Sequence, residues 1–156
     1  MVSKKKRLTG SSCCFKFWKK CCGKGLSAKK VLLYLVGLGV VMILISFVLC
    51  SLVIGREVKE ECTWAKERYG GNCTEALIQA LEDESNPFGR RNTAIWALGQ
   101  LGDKRAEPVL ESMFVGEISD REPWNGTISQ YELSKALKLV RGGLNATAVF
   151  WRQSLN

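Results

Sequence analysis

Cysteine is the residue with the widest chemical reach in this chain, and histidine does not occur in it. The seven cysteines fall into three settings: the adjacent pairs Cys13-Cys14 and Cys21-Cys22, a lone Cys50, and the separated Cys62 and Cys73. Thiolates can bind zinc, close disulfides or carry acyl chains, and the compartment largely decides which. Paired zinc ligands usually have roughly two to four residues between them. The doublets in CCFKFWKKCC have none, which makes a metal site the weakest reading of that stretch. The lack of histidine removes His-based triads and His general bases. Neither a glycine-rich phosphate loop nor a nucleophile elbow is present. Glu82, Asp83 and Glu84 are consecutive near a helix end, as on a solvated face. The expectation is a protein without catalytic residues, metal or cofactor.

Compartment follows from charge and hydropathy. The net charge of +8 is unevenly spread. Residues 1–30 hold ten Lys or Arg and no acid, whereas after residue 54 thirteen basic residues face fifteen acids, a net of −2. This is a cationic tail on a nearly neutral body, not a nucleic-acid-coating domain. Between them, VLLYLVGLGVVMILISFVLCSLVI (31–54) is uncharged for 24 residues. That exceeds the ~20 residues needed to cross a bilayer as a helix. It is too long, and its basic flank too extended, for a cleaved signal peptide. Phe47-Val48-Leu49-Cys50 resembles a lipoprotein cleavage site, but Leu49 stands where a small residue is wanted. The expectation is an uncleaved, single-pass anchor in the cytoplasmic membrane. Its basic N-terminus is held inside, which leaves residues 55–156 outside the cytoplasm.

On that reading CCFKFWKKCC lies in a reducing, juxtamembrane setting, where a structural disulfide is disfavoured. At about 100° per residue, the thiols, Phe15, Phe17 and Trp18 share one arc, with Lys16, Lys19 and Lys20 opposite. Two readings remain open beside the metal site. One is an interfacial helix whose Lys16, Trp18, Lys19 and Lys20 meet an anionic inner leaflet. The other is a disordered cationic tail. Acylation of the four cysteines is open as well.

The body reads as helices. EVKEECTWAKERY (57–69) continues from the apolar run or restarts close to it, and Gly70-Gly71 ends it. Asn72 and Glu75 form a capping box opening TEALIQALEDE (74–84), which Ser85-Asn86-Pro87 stops. A third helix over RRNTAIWALGQLG (90–102) ends at Gly102, and Asp103 caps a fourth over 104–115. Pro108 sits in the first turn of that fourth helix. After a turn-rich loop, Ser129 and Glu132 open QYELSKALKLVR (130–141), closed by Gly142-Gly143. Phe150 and Trp151 are placed to dock as a last turn. The sequons at Asn72, Asn125 and Asn145 have meaning only in a glycosylating host.

RRNTAIWALGQLGDKRAEPVLESM (90–113) resembles a HEAT repeat of the short type, also found in phycobilisome-lyase-like repeats: an alanine-rich helix, a Leu-Gly-Asp turn and a Pro-Val-Leu helix. Internal similarity supports it. EALIQALED (75–83) aligns with EPVLESMFV (107–115), and Ala97 and Leu98 align with Ala136 and Leu137. The layout is similar to that of bacterial proteins with one membrane anchor and a small HEAT-repeat domain. The resemblance covers 74–141 and implies an all-α chain: a transmembrane helix, then a small HEAT-like α-solenoid of about two repeats. It also implies binding to a protein partner, through shape and exposed side chains. Arg90, Arg91, Trp96, Gln100, Trp124 and Tyr131 are the residues expected to form that surface. A lyase-like accessory role and a structural subunit of a membrane complex are the alternatives.

Solenoids generally need three or more repeats to enclose a core, so two require a compensation. A Cys62–Cys73 disulfide is one, since the external side is oxidising. If the helix carrying Cys62 runs to Gly70, however, Cys62 lies several residues short of Cys73. The bridge then requires that helix to end early or to cross obliquely.

Overall fold

A computed structural model describes residues 27–116, 122–123 and 125–152. Among these the chain is all helical, without strands. Five α-helices follow one another: α1 Ala28–Tyr69, α2 Cys73–Glu82, α3 Phe88–Leu101, α4 Glu107–Met113 and α5 Gln130–Val140. Single 3-10 turns occupy Lys104–Ala106 and Ala146–Phe150. The doublets Cys13-Cys14 and Cys21-Cys22, with Lys16, Trp18, Lys19 and Lys20, lie outside the described residues.

The chain divides into two compact units, ending and beginning at Ile43 and Leu44. In the first, the described part of α1 carries exposed apolar side chains from Val31 to Ile43. α1 as a whole is long and apolar enough to cross a membrane.

In the second unit, α1 changes character. Ser51, Gly55, Val58, Cys62 and Ala65 are buried. Their alternating spacing of four and three keeps them on one face of a helix. The last turns of α1 therefore form a wall of the core. The same buried core holds Ala76, Leu77 and Leu81 of α2, Ile95 and Leu98 of α3, Leu110 of α4, and Leu133, Leu137 and Val140 of α5. The last turns of α1 thus add buried apolar surface to the small repeat body, which two repeats alone supply sparingly. The packed unit consequently starts before residue 55, where the change in composition alone would put its edge.

Local chemistry sets the helix ends. Asn72 accepts the Glu75 N–H at 3.0 Å, and Ser129 accepts the Glu132 N–H at 3.2 Å. Gly102, in the left-handed region at φ 64°, closes α3 by donating to Leu98 O. α3 begins at Phe88, two residues before the sequence signal, because Pro87 accepts from both Arg90 N–H and Arg91 N–H. The expected fourth helix is shorter: a 3-10 turn, then α4 ending at Met113.

Cys62 and Cys73 are joined by a disulfide with Cα atoms 5.0 Å apart. Of the two ways expected, an early end of α1 or an oblique crossing, the first does not occur, since α1 runs to Tyr69. Cys62 lies about 10 Å of helix rise below Tyr69. Four extended steps from Tyr69 to Cys73 span about 13 Å. Gly70 and Gly71, at φ 74° and 73°, turn the chain back along α1 and close the distance.

Candidate functional site

Of the six residues expected to share one binding surface, the five described have separate partners. Arg90 lies between α1 and α3: its Nη1 donates to both Glu61 carboxylate oxygens at 2.8 and 2.9 Å. Its guanidinium also lies 4.3 Å from the centre of the Trp64 ring. Arg91 Nε donates to Leu81 O at 2.7 Å, and Asn86 Nδ2 donates to Ala80 O at 2.8 Å. Together they satisfy carbonyls that the end of α2 leaves unpaired. Trp96 is half-buried against the core. Gln100 receives two groups from the C-terminal segment, Asn145 Nδ2 on its side chain and Arg152 on its backbone carbonyl. Tyr131 remains 53% exposed, with Lys135 Nζ 4.8 Å from its ring centre. Trp124 lies outside the described residues. Arg90, Arg91 and Gln100, expected together on the third helix, are engaged by α1, the end of α2 and the C-terminal segment respectively.

What the fold does bring together is a cleft of about 380 Å³, lined by Lys66, Asn72, Cys73, Thr74, Leu101, Asp103, Arg105 and Arg152. It opens beside the disulfide, where the start of α2 faces the turn after α3. Thr74 Oγ1 donates to Asp103 at 3.0 Å, tying these two segments. Arg105 donates to Asp103 at 2.6 Å and to Glu75 at 3.1 Å. Hydrogen bonds from Arg105, aided by Thr74, hold the Asp103 carboxyl well below its ordinary value, at about 2. Arg152 donates to Gln100 O through Nε at 3.0 Å and Nη2 at 2.6 Å. Its cationic group thus caps the carbonyl end of α3, where positive charge is favoured. Burial draws the Arg152 pKa down. Lys66 is exposed and has no ion pair among the described residues.

The lining holds three cationic side chains and one carboxylate: Arg105 is paired with Asp103 and Glu75, and Arg152 donates to Gln100 O. Its net positive charge favours an acidic group over a basic one. Cys73 contributes no free thiol, because its sulfur is in the disulfide. Among the described residues no group of three or more acidic, Cys or His side chains is placed to hold a metal ion.

Two residues that build this unit carry no sequence motif. Asn92 is fully buried, donating through Nδ2 to Thr127 O and accepting from Ser129 N–H, both at 2.9 Å. Glu122 sits over the start of α5, accepting from Ser129 Oγ at 2.6 Å and from Gln130 N–H at 3.1 Å. An asparagine on the buried stripe of an alanine-rich helix is the signal that would have exposed the first. Nothing local marks Glu122, since it acts across a loop.

α3 and α4, joined by the turn at Gly102-Asp103, make one helix–turn–helix unit. Residues 91–115 match the family model of the PBS lyase HEAT-like repeat. The match covers most of α3 and all of α4. Neither the curated proteins nor the solved structures contain a significant match to the chain. Around the matched unit, α3 lies against α5, the helix aligned with it, and against α2, and α4 leans on α5.

Proposed function

We propose that this chain is a membrane-anchored binding module that recruits or scaffolds a protein partner at the outer face of the cytoplasmic membrane. α1 is the single-pass anchor, the basic tail lies on the cytoplasmic side, and the repeat body is outside. The single observation that carries the reading is the continuity of α1. One helix is apolar and exposed over its first turns and is the wall of a HEAT-like core over its last. Such a helix fixes a binding body at a membrane and has little other use for its exposed half.

Within the body the cleft is the site of contact. Its volume accommodates one or two side chains, near the lower end for ligand sites. Lys66 and Arg152 provide the charge for a carboxylate from an acidic partner segment. The exposed Tyr131 is a second contact on the same body, of a type enriched at interfaces.

A photo-crosslinking residue at Glu67, next to Lys66 on α1, tests this in native membranes. A discrete protein adduct is expected, and Lys66→Glu should abolish it while leaving the thermal melt unchanged. Adducts indifferent to Lys66→Glu, or none from either position 67 or position 131, would contradict the proposal.

A further inference from the structure

The segment that follows α5 is two-faced. Ala148 and Trp151 are buried, whereas Leu144, Val149 and Phe150 are largely exposed. The buried face meets α1. A β-carbon on Gly55 would lie 2.6 Å from Trp151 Cβ, so the indole sits directly on the backbone of that helix. The Phe150 ring stands edge-on to Phe47, with centroids 5.8 Å apart.

Phe47 is not at the edge of the apolar run but inside it. It lies seven steps before Ile54, about 10 Å of helix rise. The whole run of 24 residues measures about 36 Å against a hydrocarbon thickness of about 30 Å. Even with the excess shared between both ends, Phe47 lies about 7 Å inside the hydrocarbon boundary. Val48, Leu49, Leu52 and Val53, on the side of α1 away from Phe47, are exposed, so the run is not withdrawn into the body at this level. Phe150, packed on Phe47, stands at the same depth along the run.

We propose that Val149 and Phe150 insert into the headgroup–acyl boundary of the leaflet next to the body, a lipid contact separate from the helix that crosses the membrane. The inference rests on the reading of α1 as membrane-spanning. The body is then held by lipid at two points, α1 and the C-terminal turn, which restricts its rotation about the anchor. An apolar pair adjoining a span is the chemistry that an interfacial contact requires.

The full chain, with Cys13, Cys14, Cys21, Cys22 and Cys50 replaced by serine and the Cys62–Cys73 bridge kept, is reconstituted in phosphatidylcholine nanodiscs. A nitrobenzoxadiazole label is placed through Val149→Cys, with Leu38→Cys and Glu60→Cys as references. Val149 is 74% exposed, so the label does not disturb the core. Lipids carrying a doxyl group high on the acyl chain should quench the label at 149 strongly. Those doxylated deep in the chain should quench the label at 38, and neither should quench the one at 60. A label at 149 that behaves like the one at 60, while 38 is quenched, overturns the lipid contact alone. An unquenched label at 38 overturns the span itself, and the contact with it. A label at 149 that is blue-shifted yet insensitive to doxyl lipid, in discs holding two copies, assigns the patch to a second chain and likewise overturns the proposal.

Discussion

Gly99 of α3 and Ala136 of α5 touch backbone to backbone: a β-carbon on Gly99 would lie 2.7 Å from Ala136 Cα and 2.9 Å from its Cβ. This approach sets the distance between the two helices that pack most extensively. Gly99→Ala would gain up to about 1 kcal/mol in helix propensity. It would lose about 1–3 kcal/mol to overpacking, because the atom it meets is backbone and cannot rotate away. The net effect is destabilising. A lower melting temperature by circular dichroism in detergent checks it. Ala136→Gly should rescue little, since removing that methyl group leaves the α5 backbone in the way.

Asn92 holds the loop before α5 through Thr127 O and Ser129 N–H. Asn92→Leu leaves the buried Ser129 N–H unpaired and removes the donor to Thr127 O, on an exposed residue. The expected cost is about 1–3 kcal/mol, chiefly from the Ser129 amide, read by chemical denaturation. Hydrogen exchange at the Ser129 amide should accelerate more than that of α2.

The Cys62–Cys73 bridge closes a short loop, with a sequence separation of 11. Reduction, or Cys73→Ser, should destabilise by about 3 kcal/mol in the chain-entropy account. For a body of this size that corresponds to a fall of more than 10 °C in melting temperature, at about 4–8 °C per kcal/mol. Addition of reductant should leave a Cys62→Ser/Cys73→Ser variant unchanged.

Acid sensitivity follows from two carboxylates. Asp83, through hydrogen bonds from Ser85 and then Tyr69, and Asp103, chiefly through Arg105, are both lowered from 3.8 to about 2. A folded-state pKa below the unfolded one gives stability that is complete above about pH 4 and disappears as pH falls through about 2. Melting temperature should therefore decline between pH 4 and pH 2. In an Asp83→Asn/Asp103→Asn variant that decline should be shallower, starting from a lower plateau.

The parts of the fold that are legible in sequence are those governed by near neighbours. Asn72 with Glu75, Ser129 with Glu132, and Gly102 mark helix ends because each acts within one turn. The alignment of Ala97 and Leu98 with Ala136 and Leu137 matches the pairing of α3 with α5. What escapes depends on distant contacts. Arg91 is an exposed binding residue by helical position, yet the carbonyls at the end of α2 claim it. Arg152 has no local signal, and reaches the cleft only because Trp151 seats on Gly55. The wall formed by Ser51, Val58, Cys62 and Ala65 is hidden because it begins inside the apolar run, so that the sequence reads as an anchor and a body in succession. The bridge between Cys62 and Cys73 looks hard to reach on paper, because glycine types alone do not show that Gly70 and Gly71 both turn left-handed and fold the chain back along α1.

The central claim is that α1 crosses the membrane once and carries the repeat body outside. Thiol labelling of intact cells with a membrane-impermeant maleimide tests it most directly. The account predicts that Cys62 and Cys73 are labelled only after treatment with an impermeant reductant, while Cys13, Cys14, Cys21 and Cys22 are labelled only after lysis. Labelling of the four N-terminal cysteines in intact cells, with Cys62 and Cys73 protected until lysis, would contradict it.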